Sequence, residues 1–220
     1  MTVFAAASLS DAFNAMAKPF ADAHDSYSLT FNFAGSQQLV AQLQQGAKAD
    51  ALATADQTSM ATVPARDRSG SPAVFARNRL VIAVGRGNPK HIQTLADLTH
   101  PDLKVVLAAP AVPAGKYARA ALAKAGVTVK PVSLEDNVES VVTKVALGEA
   151  DAGIVYITDA TAAHNIDAVQ IPDADNVIAE YPAVGLTGGG RLAGGQQFVA
   201  FLRSPSGQAI LRRFGFLAPK

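Results

Sequence analysis

Cysteine is absent from the 220 residues of this chain, and its absence excludes three kinds of chemistry together. Disulfides, thiolate metal sites and cysteine nucleophiles cannot form. Histidine is also scarce, and the four histidines are scattered without HExxH or paired spacing: His24, His91, His100 and His164. We therefore expect neither a catalytic metal ion nor a direct cation site of another kind.

Long apolar runs and charge runs are missing as well. No stretch of about 18 consecutive apolar residues occurs, so the sequence predicts no transmembrane helix. The formal net charge is +1, and no basic patch indicates nucleic acid as a partner. Capture of an anion would therefore depend on local groups rather than on the charge of the whole protein.

The residues that are present are typical of a folded α/β protein. Hydrophobic residues make up 49% of the chain and charged residues 17%, which argues against disorder. The length fits one large domain or two lobes of roughly 100 residues each. Short apolar runs such as Val3–Ala7, Leu80–Val84 and Ala152–Tyr156 predict buried strands, and they alternate with helical periodicity such as that of Val138–Leu147. This alternation predicts mostly parallel sheets flanked by helices.

Four junctions between a predicted strand and the next helix are candidate ligand-binding positions. In open parallel sheets, ligands bind beyond the carboxyl ends of the strands, where helix N-termini leave backbone N–H groups free. The junctions lie at Ser8, Ser36, Ala114-Gly115 and Asn137-Val138. With the serine hydroxyls they would form a neutral trap for a fully deprotonated oxyanion. Taken singly, each serine is more simply interpreted as a helix N-cap, and Val138 as a core residue.

Five motifs follow one another along the chain. They are FAAASLS from Phe4, FAGSQQL from Phe33, GAKAD with ATAD from Gly46, VPAGKYA from Val112, and EDNV with GIVY and TDA from Glu135. In this order they resemble motifs of the periplasmic molybdate-binding proteins of ABC transporters, the ModA-like family. The resemblance extends along nearly the whole chain, to about residue 216.

The resemblance implies a type II periplasmic-binding-protein fold, in which two lobes are joined by a hinge and the ligand lies in the cleft between them. We expect lobe 1 to be discontinuous, with residues 1–79 and 182–220, and lobe 2 to comprise residues 80–181. The chain would cross between the lobes near residues 78–81 and 180–184. Closure around the ligand is a hinge motion in this fold.

The resemblance also implies which groups hold the ion. In the family these are two serines, two further backbone amides and a tyrosine hydroxyl, which carry over to Ser8, Ser36, Ala114, Val138 and Tyr156. Two departures from the family pattern occur. Gly35 and Gln37 flank Ser36 where the family often has consecutive serines, and Asn137 stands where some members have aspartate.

The expected function is capture of molybdate, and of tungstate because the two ions are nearly the same size. The partners would be an ABC transporter permease and its ATPase, and the protein would be a monomer without cofactor or catalysis. The sequence opens inside its first predicted strand, which fits either a cytosolic protein or the mature part of an exported one. The resemblance implies an exported protein, periplasmic or at the cell surface, whose signal segment and any lipid anchor lie outside the present sequence.

Three alternatives stay open at this point. A sulfate- or other oxyanion-binding protein would use the same donors, and an oxyanion-sensing regulator can share the fold. An enzyme is the third. A GxSxG elbow and a Rossmann fingerprint are missing, and Gly188–Gly190 lacks the GK[ST] of a P-loop and is interpreted as a mobile turn. Glu135 and Asp136 could form an acid–base pair, but acids at a helix start explain them more simply.

Overall fold

The computed structural model of the protein describes residues 1–24 and 27–220. Those residues divide into two compact units, unit 1 with residues 1–77 and 180–220 and unit 2 with residues 78–179. Within the described ranges, no helix is long and apolar enough to span a membrane.

Both units are built from strands and helices in alternation. The described residues contain ten strands, which are β1 Thr2–Ala6, β2 Thr30–Ala34, β3 Ala51–Ala53, β4 Ala73–Asn78, β5 Leu80–Gly85, β6 Val105–Ala108, β7 Ser133–Glu135, β8 Ala152–Tyr156, β9 Ile166–Gln170 and β10 Ala179–Gly185. They also contain eight α-helices, which are α1 Ser10–Ala23, α2 Ser36–Gln44, α3 Gln57–Ala61, α4 Pro113–Lys124, α5 Val138–Ala146, α6 Ile157–Ala162, α7 Leu192–Arg203 and α8 Pro205–Arg213.

Each unit has one five-stranded sheet, and both sheets are mixed rather than mostly parallel. In unit 1 the order is β2-β1-β3-β10-β4, with β1 parallel to β2 and β3, and β10 antiparallel to β3. In unit 2 the order is β7-β6-β8-β5-β9, with β6 parallel to β7 and β8, and β5 antiparallel to both of its neighbours. The βαβ connections make three adjacent strands parallel in each sheet. The next strand, β10 in unit 1 and β5 in unit 2, runs antiparallel to them.

Aromatic side chains form the core of unit 1 on the α1 and α7 side of the sheet. The Phe198 ring meets those of Phe13 and Phe20 edge to face, with centroids 5.3 and 5.5 Å apart. All three side chains are buried, and burial of each contributes roughly 1.5–3 kcal/mol. On the opposite face, α2 and α3 cover an aliphatic layer that includes Leu39, Leu52 and Met60.

Two glycines of the segment after β10 pack tightly against the start of β3. A Cβ on Gly189 would overlap the Asp50 carboxylate, and one on Gly195 would overlap the Asp50 carbonyl oxygen. The Asp50 carboxylate accepts hydrogen bonds from the amides of Thr2 (2.7 Å) and Arg191 (2.8 Å). Glycine is therefore required here for close approach of two backbone segments.

Unit 2 packs α5 closely onto β8. Val138, Val141, Val142 and Val145 form the buried face of α5, and a Cβ on Gly153 would lie 2.5 Å from the Val141 Cγ1. The glycine in β8 therefore lets the helix approach the sheet. This packing holds the first turn of α5 at the carboxyl edge of the parallel strands.

Candidate functional site

The two candidate serines of unit 1 lie at the carboxyl ends of neighbouring parallel strands. Ala6 at the end of β1 pairs with Ala34 at the end of β2. Ser8 follows β1 in a single 3-10 turn, Ala7–Leu9, and Ser36 is the first residue of α2. The topology thus brings both side chains to one edge of the sheet, as expected from the sequence.

Neither serine caps a helix. The residue before α1 is Leu9, and no side chain caps that helix. The cap residue of α2 is Gly35, whose amide donates to the Gln38 side chain at 3.0 Å. The N-cap interpretation is therefore wrong for Ser8 and Ser36, and Gln38 has the capping role at α2.

Both serine hydroxyls are held by a partner from a distant part of unit 1. The Ser36 side chain is 1% exposed, and its Oγ accepts a hydrogen bond from the Ala55 amide at 3.0 Å. The Ser8 Oγ lies 3.1 Å from the Tyr181 hydroxyl. Because the Ala55 N–H occupies a lone pair of Ser36, the Ser36 proton stays available for another acceptor. We call Ser8, Ser36 and Ala55 the serine edge of unit 1.

Unit 2 repeats this arrangement with backbone donors. Ala108 at the end of β6 pairs with Glu135 at the end of β7, and β8 pairs with β6 on its other side. Ala114 lies in the first turn of the helix after β6, Val138 begins the helix after β7, and Tyr156 is the last residue of β8. We call these three residues the amide edge of unit 2. The sequence singled out Ala114 and Val138 as strand–helix junctions and Tyr156 through the family resemblance.

The first turn of α4 presents free backbone donors. Within the described chain no side chain caps this helix, and Pro113 at its first position has no N–H to offer. The amides of Ala114 and Gly115 follow, and amides of a first turn have no acceptor within their own helix. A Cβ on Gly115 would overlap the carbonyl oxygens of Ala108 and Ala109, so glycine is needed to seat the helix start on the end of β6.

Asn137 caps α5 with its side chain. Its Oδ1 accepts from the Ser140 amide at 2.9 Å and lies 3.2 Å from the Ser140 hydroxyl. Aspartate would cap the helix in the same way, so this departure from the family pattern keeps the geometry of the helix start. The Val138 amide, at the first helical position, is left to donate outside the helix.

Two further residues of unit 2 shape the amide edge. The Tyr156 ring is 1% exposed and meets the Tyr117 ring edge to face at 6.5 Å. Arg119 Nη1 donates to the carbonyl oxygens of Ala108 (3.0 Å) and Gly115 (2.9 Å). Burial lowers the pKa of Arg119, yet a guanidinium stays cationic near neutral pH. The sequence analysis expected only neutral groups around the ligand. The structure instead places the charged Arg119 next to the amide edge.

Known proteins share this architecture along the whole chain. The family model for bacterial extracellular solute-binding proteins matches residues 1–217. The chain belongs to this family. The molybdate-binding protein ModA of Mycobacterium tuberculosis (strain ATCC 25618 / H37Rv) is 41% identical over 221 residues, which cover 100% of this chain and 85% of that protein.

Two other proteins extend the comparison. The molybdate-binding protein ModA of Escherichia coli (strain K12) is 30% identical over 228 residues, covering 98% of this chain and 88% of that protein. The solved periplasmic molybdate-binding protein of Azotobacter vinelandii superposes with a TM-score of 0.85 at 19% identity, covering 100% of both chains. The second likeness shows that this solute-binding protein has the two-lobed α/β fold expected from the sequence. Family membership also assigns it to transport outside the cytoplasm and not to catalysis.

The carboxylate at the end of β7 is an ion-paired structural group. Glu135 Oε1 lies 2.7 Å from Lys144 Nζ and 2.6 Å from the Ser133 hydroxyl. Burial opposes ionisation of Glu135, but the two hydrogen bonds and the Lys144 charge outweigh it and lower the pKa. A carboxylate held ionised in this way is not poised for proton transfer near neutral pH.

Among the described residues, no three His, Asp or Glu side chains cluster as a metal site would require.

Replacing Lys144 with methionine is expected to lower the free energy of unfolding at pH 7 by about 1 kcal/mol or less, since solvent screens the one-third-exposed ammonium. The folded-state pKa of Glu135 is depressed, so its stabilisation is present above the unfolded pKa and is lost as the pH falls through the folded one. The difference between wild type and variant should therefore shrink in urea unfolding as the pH falls below the unfolded pKa of Glu135. Lys18→Met, in the exposed pair with Asp22, is the control and should change little at any pH. A difference that grows as the pH falls would contradict the ion pair between Glu135 and Lys144.

Proposed function

We propose that this protein captures molybdate outside the cytoplasm and delivers it to an ABC transporter. One structural observation supports this function: three adjacent parallel strands in each unit end at one edge, with two serine hydroxyls at that edge in unit 1 and the first-turn amides of α4 and α5 at that edge in unit 2. The full-length likeness to molybdate-binding proteins adds the identity of the ion.

The five residues that would hold the ion are Ser8, Ser36, Ala114, Val138 and Tyr156. In this proposal units 1 and 2 are the two expected lobes, and a single oxyanion accepts hydrogen bonds from the serine edge and the amide edge. Hydrogen bonds to an ionised acceptor are roughly twice as strong as neutral ones. The Arg119 guanidinium beneath the first turn of α4 adds positive potential to the helix dipole there.

The donor chemistry favours a fully deprotonated dianion. Molybdate, tungstate and sulfate only accept hydrogen bonds, whereas phosphate still carries a proton near neutral pH and needs an acceptor. Tungstate should bind with molybdate because the two ions are nearly equal in size, and sulfate is smaller. We further propose that the partners are a membrane permease and its ATPase, that the protein acts as a monomer, and that a signal segment or lipid anchor belongs to the exported precursor.

Thermal unfolding in the presence of molybdate tests the proposed function. At a molybdate concentration 100 times the Kd, binding stabilises the folded state by about 2.7 kcal/mol. For a chain of this size that corresponds to a rise in Tm of roughly 5–10 °C. Sodium chloride at matched ionic strength is the control and should leave Tm nearly unchanged. Equal small shifts with both salts would contradict specific capture.

Ser36→Ala is expected to raise the molybdate Kd roughly 10- to 150-fold, because one hydrogen bond to a charged acceptor is lost. The variant should also lose about 1–3 kcal/mol of stability, since the Ala55 amide is left without its acceptor. The matched control is Ser204→Ala, because the Ser204 hydroxyl caps α8 through the Gly207 amide at 3.2 Å. That control should lose about 1 kcal/mol of stability and keep its Kd. Calorimetric titration and urea unfolding separate the two effects, and an unchanged Kd in Ser36→Ala would remove Ser36 from the site.

A further inference from the structure

The contact between Ser8 and Tyr181 joins positions 173 residues apart within unit 1, with the two oxygens 3.1 Å from each other. Tyr181 lies in β10, directly after the chain passes from unit 2 into unit 1. Its side chain is 0% exposed, so it is positioned behind the serine edge rather than on it. Nothing in the motifs singles this tyrosine out.

The ring of Tyr181 is fixed by its aromatic neighbours. It meets the Phe216 ring edge to face at 5.4 Å and the Phe75 ring edge to face at 6.4 Å. A tyrosine hydroxyl oxygen lies on the axis of its ring, so rotation of the ring leaves the oxygen in place. Ser8 is only half-buried and has no capping role, so the tyrosine is the fixed member of the pair and sets the serine rotamer.

The distance allows either hydroxyl to be the donor, and the chemistry of the two groups favours Tyr181. A phenol, with a reference pKa near 10, is a stronger acid than an aliphatic alcohol and is therefore the better donor. When Tyr181 donates to the Ser8 Oγ, the Ser8 proton is left for a ligand. Two hydrogen bonds in series also polarise each other, which strengthens the outer one.

We propose that Tyr181 is a positioning residue that fixes the Ser8 hydroxyl as a donor to the bound oxyanion and thereby sets the preference for fully deprotonated ions. This role rests on the proposed function. Ser36 is held in the same sense by the Ala55 amide. Each serine oxygen then has one of its two lone pairs occupied from within unit 1, which directs its proton to the ligand. A protonated anion such as hydrogenphosphate therefore finds only the one remaining lone pair at each serine for its own proton.

A double-mutant cycle in calorimetric titrations tests this role. Tyr181→Phe is expected to raise the molybdate Kd about 3- to 10-fold, the effect of losing one ordinary hydrogen bond. The same substitution in a Ser8→Ala background should change the Kd little, because the hydroxyl that it positions is gone. Phosphate should lose less affinity than molybdate in Tyr181→Phe, since the freed Ser8 oxygen can then accept. Tyr27→Phe, the same chemical change elsewhere in unit 1, is the matched control and should leave both Kd values unchanged.

A second measurement avoids substituting Tyr181. In the wild type the buried Tyr181 hydroxyl proton should give a slowly exchanging NMR resonance, and Ser8→Ala should shift it or broaden it away. An unaltered resonance, or an equal Kd change from Tyr181→Phe with and without Ser8, would overturn the positioning role and leave molybdate capture standing. A wild-type protein that binds no oxyanion would instead overturn the proposed function and this role with it.

Discussion

Replacing Val138 with proline is expected to raise the molybdate Kd about 10- to 150-fold while the chain stays folded. The range follows from about 1.5–3 kcal/mol for one hydrogen bond to a charged group. Proline removes the amide proton, which is the proposed donor. Val138 is the first residue of α5, a position at which proline is favoured. Asn137 before it has φ −156° and ψ 171°, the extended conformation that a following proline requires.

Val138→Ala is the matched control for this substitution. It keeps the amide and removes two methyl groups from a side chain that is 4% exposed. We expect the alanine variant to lose stability by about 1–2 kcal/mol and to bind molybdate with an unchanged Kd. Calorimetric titration of both variants separates the amide from the side chain. If alanine and proline weakened binding equally, the amide would not be the donor, and Val138 would be only a core residue of α5.

Replacing Asp50 with asparagine is expected to lower the free energy of unfolding by about 2–4 kcal/mol. The carboxylate is 3% exposed and accepts from the amides of Thr2 and Arg191. An asparagine NH2 would face one of these N–H groups and leave it unpaired. Asp50 precedes β3, at the opposite edge of the sheet from Ser36. The folded variant should therefore bind molybdate with a Kd close to that of the wild type.

Urea unfolding and titration of the same samples check this separation of stability from binding. Asp22→Asn is the control, because Asp22 is exposed and pairs with Lys18 on the surface of α1. That change should cost about 0.5 kcal/mol or less. A Kd altered as strongly in Asp50→Asn as in Ser36→Ala would show that the two edges of the unit 1 sheet are coupled.

The strands that the sequence predicts well are those with apolar residues at every position. β5 and β8 are buried along almost their whole length, and their residues read as continuous apolar runs. β7 escapes prediction because it is a three-residue edge strand in which Leu134 is 48% exposed. β9 escapes because its charged and polar residues face solvent on an edge of the unit 2 sheet. The β-propensity of the residues is a weak predictor for an edge strand, which pairs with only one neighbouring strand.

The positions of the five candidate residues at strand ends and helix starts can be predicted from the sequence pattern and the family resemblance. The hydrogen-bond partners that orient these residues cannot be predicted from either. The Ala55 amide is 19 residues from Ser36, and Tyr181 is 173 residues from Ser8. Arg119 reaches a carbonyl 11 residues away. Such contacts depend on how strands pair, which spacing in the sequence does not encode. Taken singly, each serine also fitted an N-cap, an interpretation that fails because the cap positions are Leu9 for α1 and Gly35 for α2.

Titration calorimetry of the anion-free protein with molybdate, tungstate, sulfate and phosphate, in a buffer without other oxyanions, tests molybdate capture most directly. We expect tight binding of molybdate and tungstate at one ion per chain, with sulfate and phosphate much weaker. Ser36→Ala and Val138→Pro should both weaken that binding, and Asp50→Asn should not. Absence of binding by all four tetrahedral ions, or a preference for sulfate or phosphate over molybdate, would contradict it.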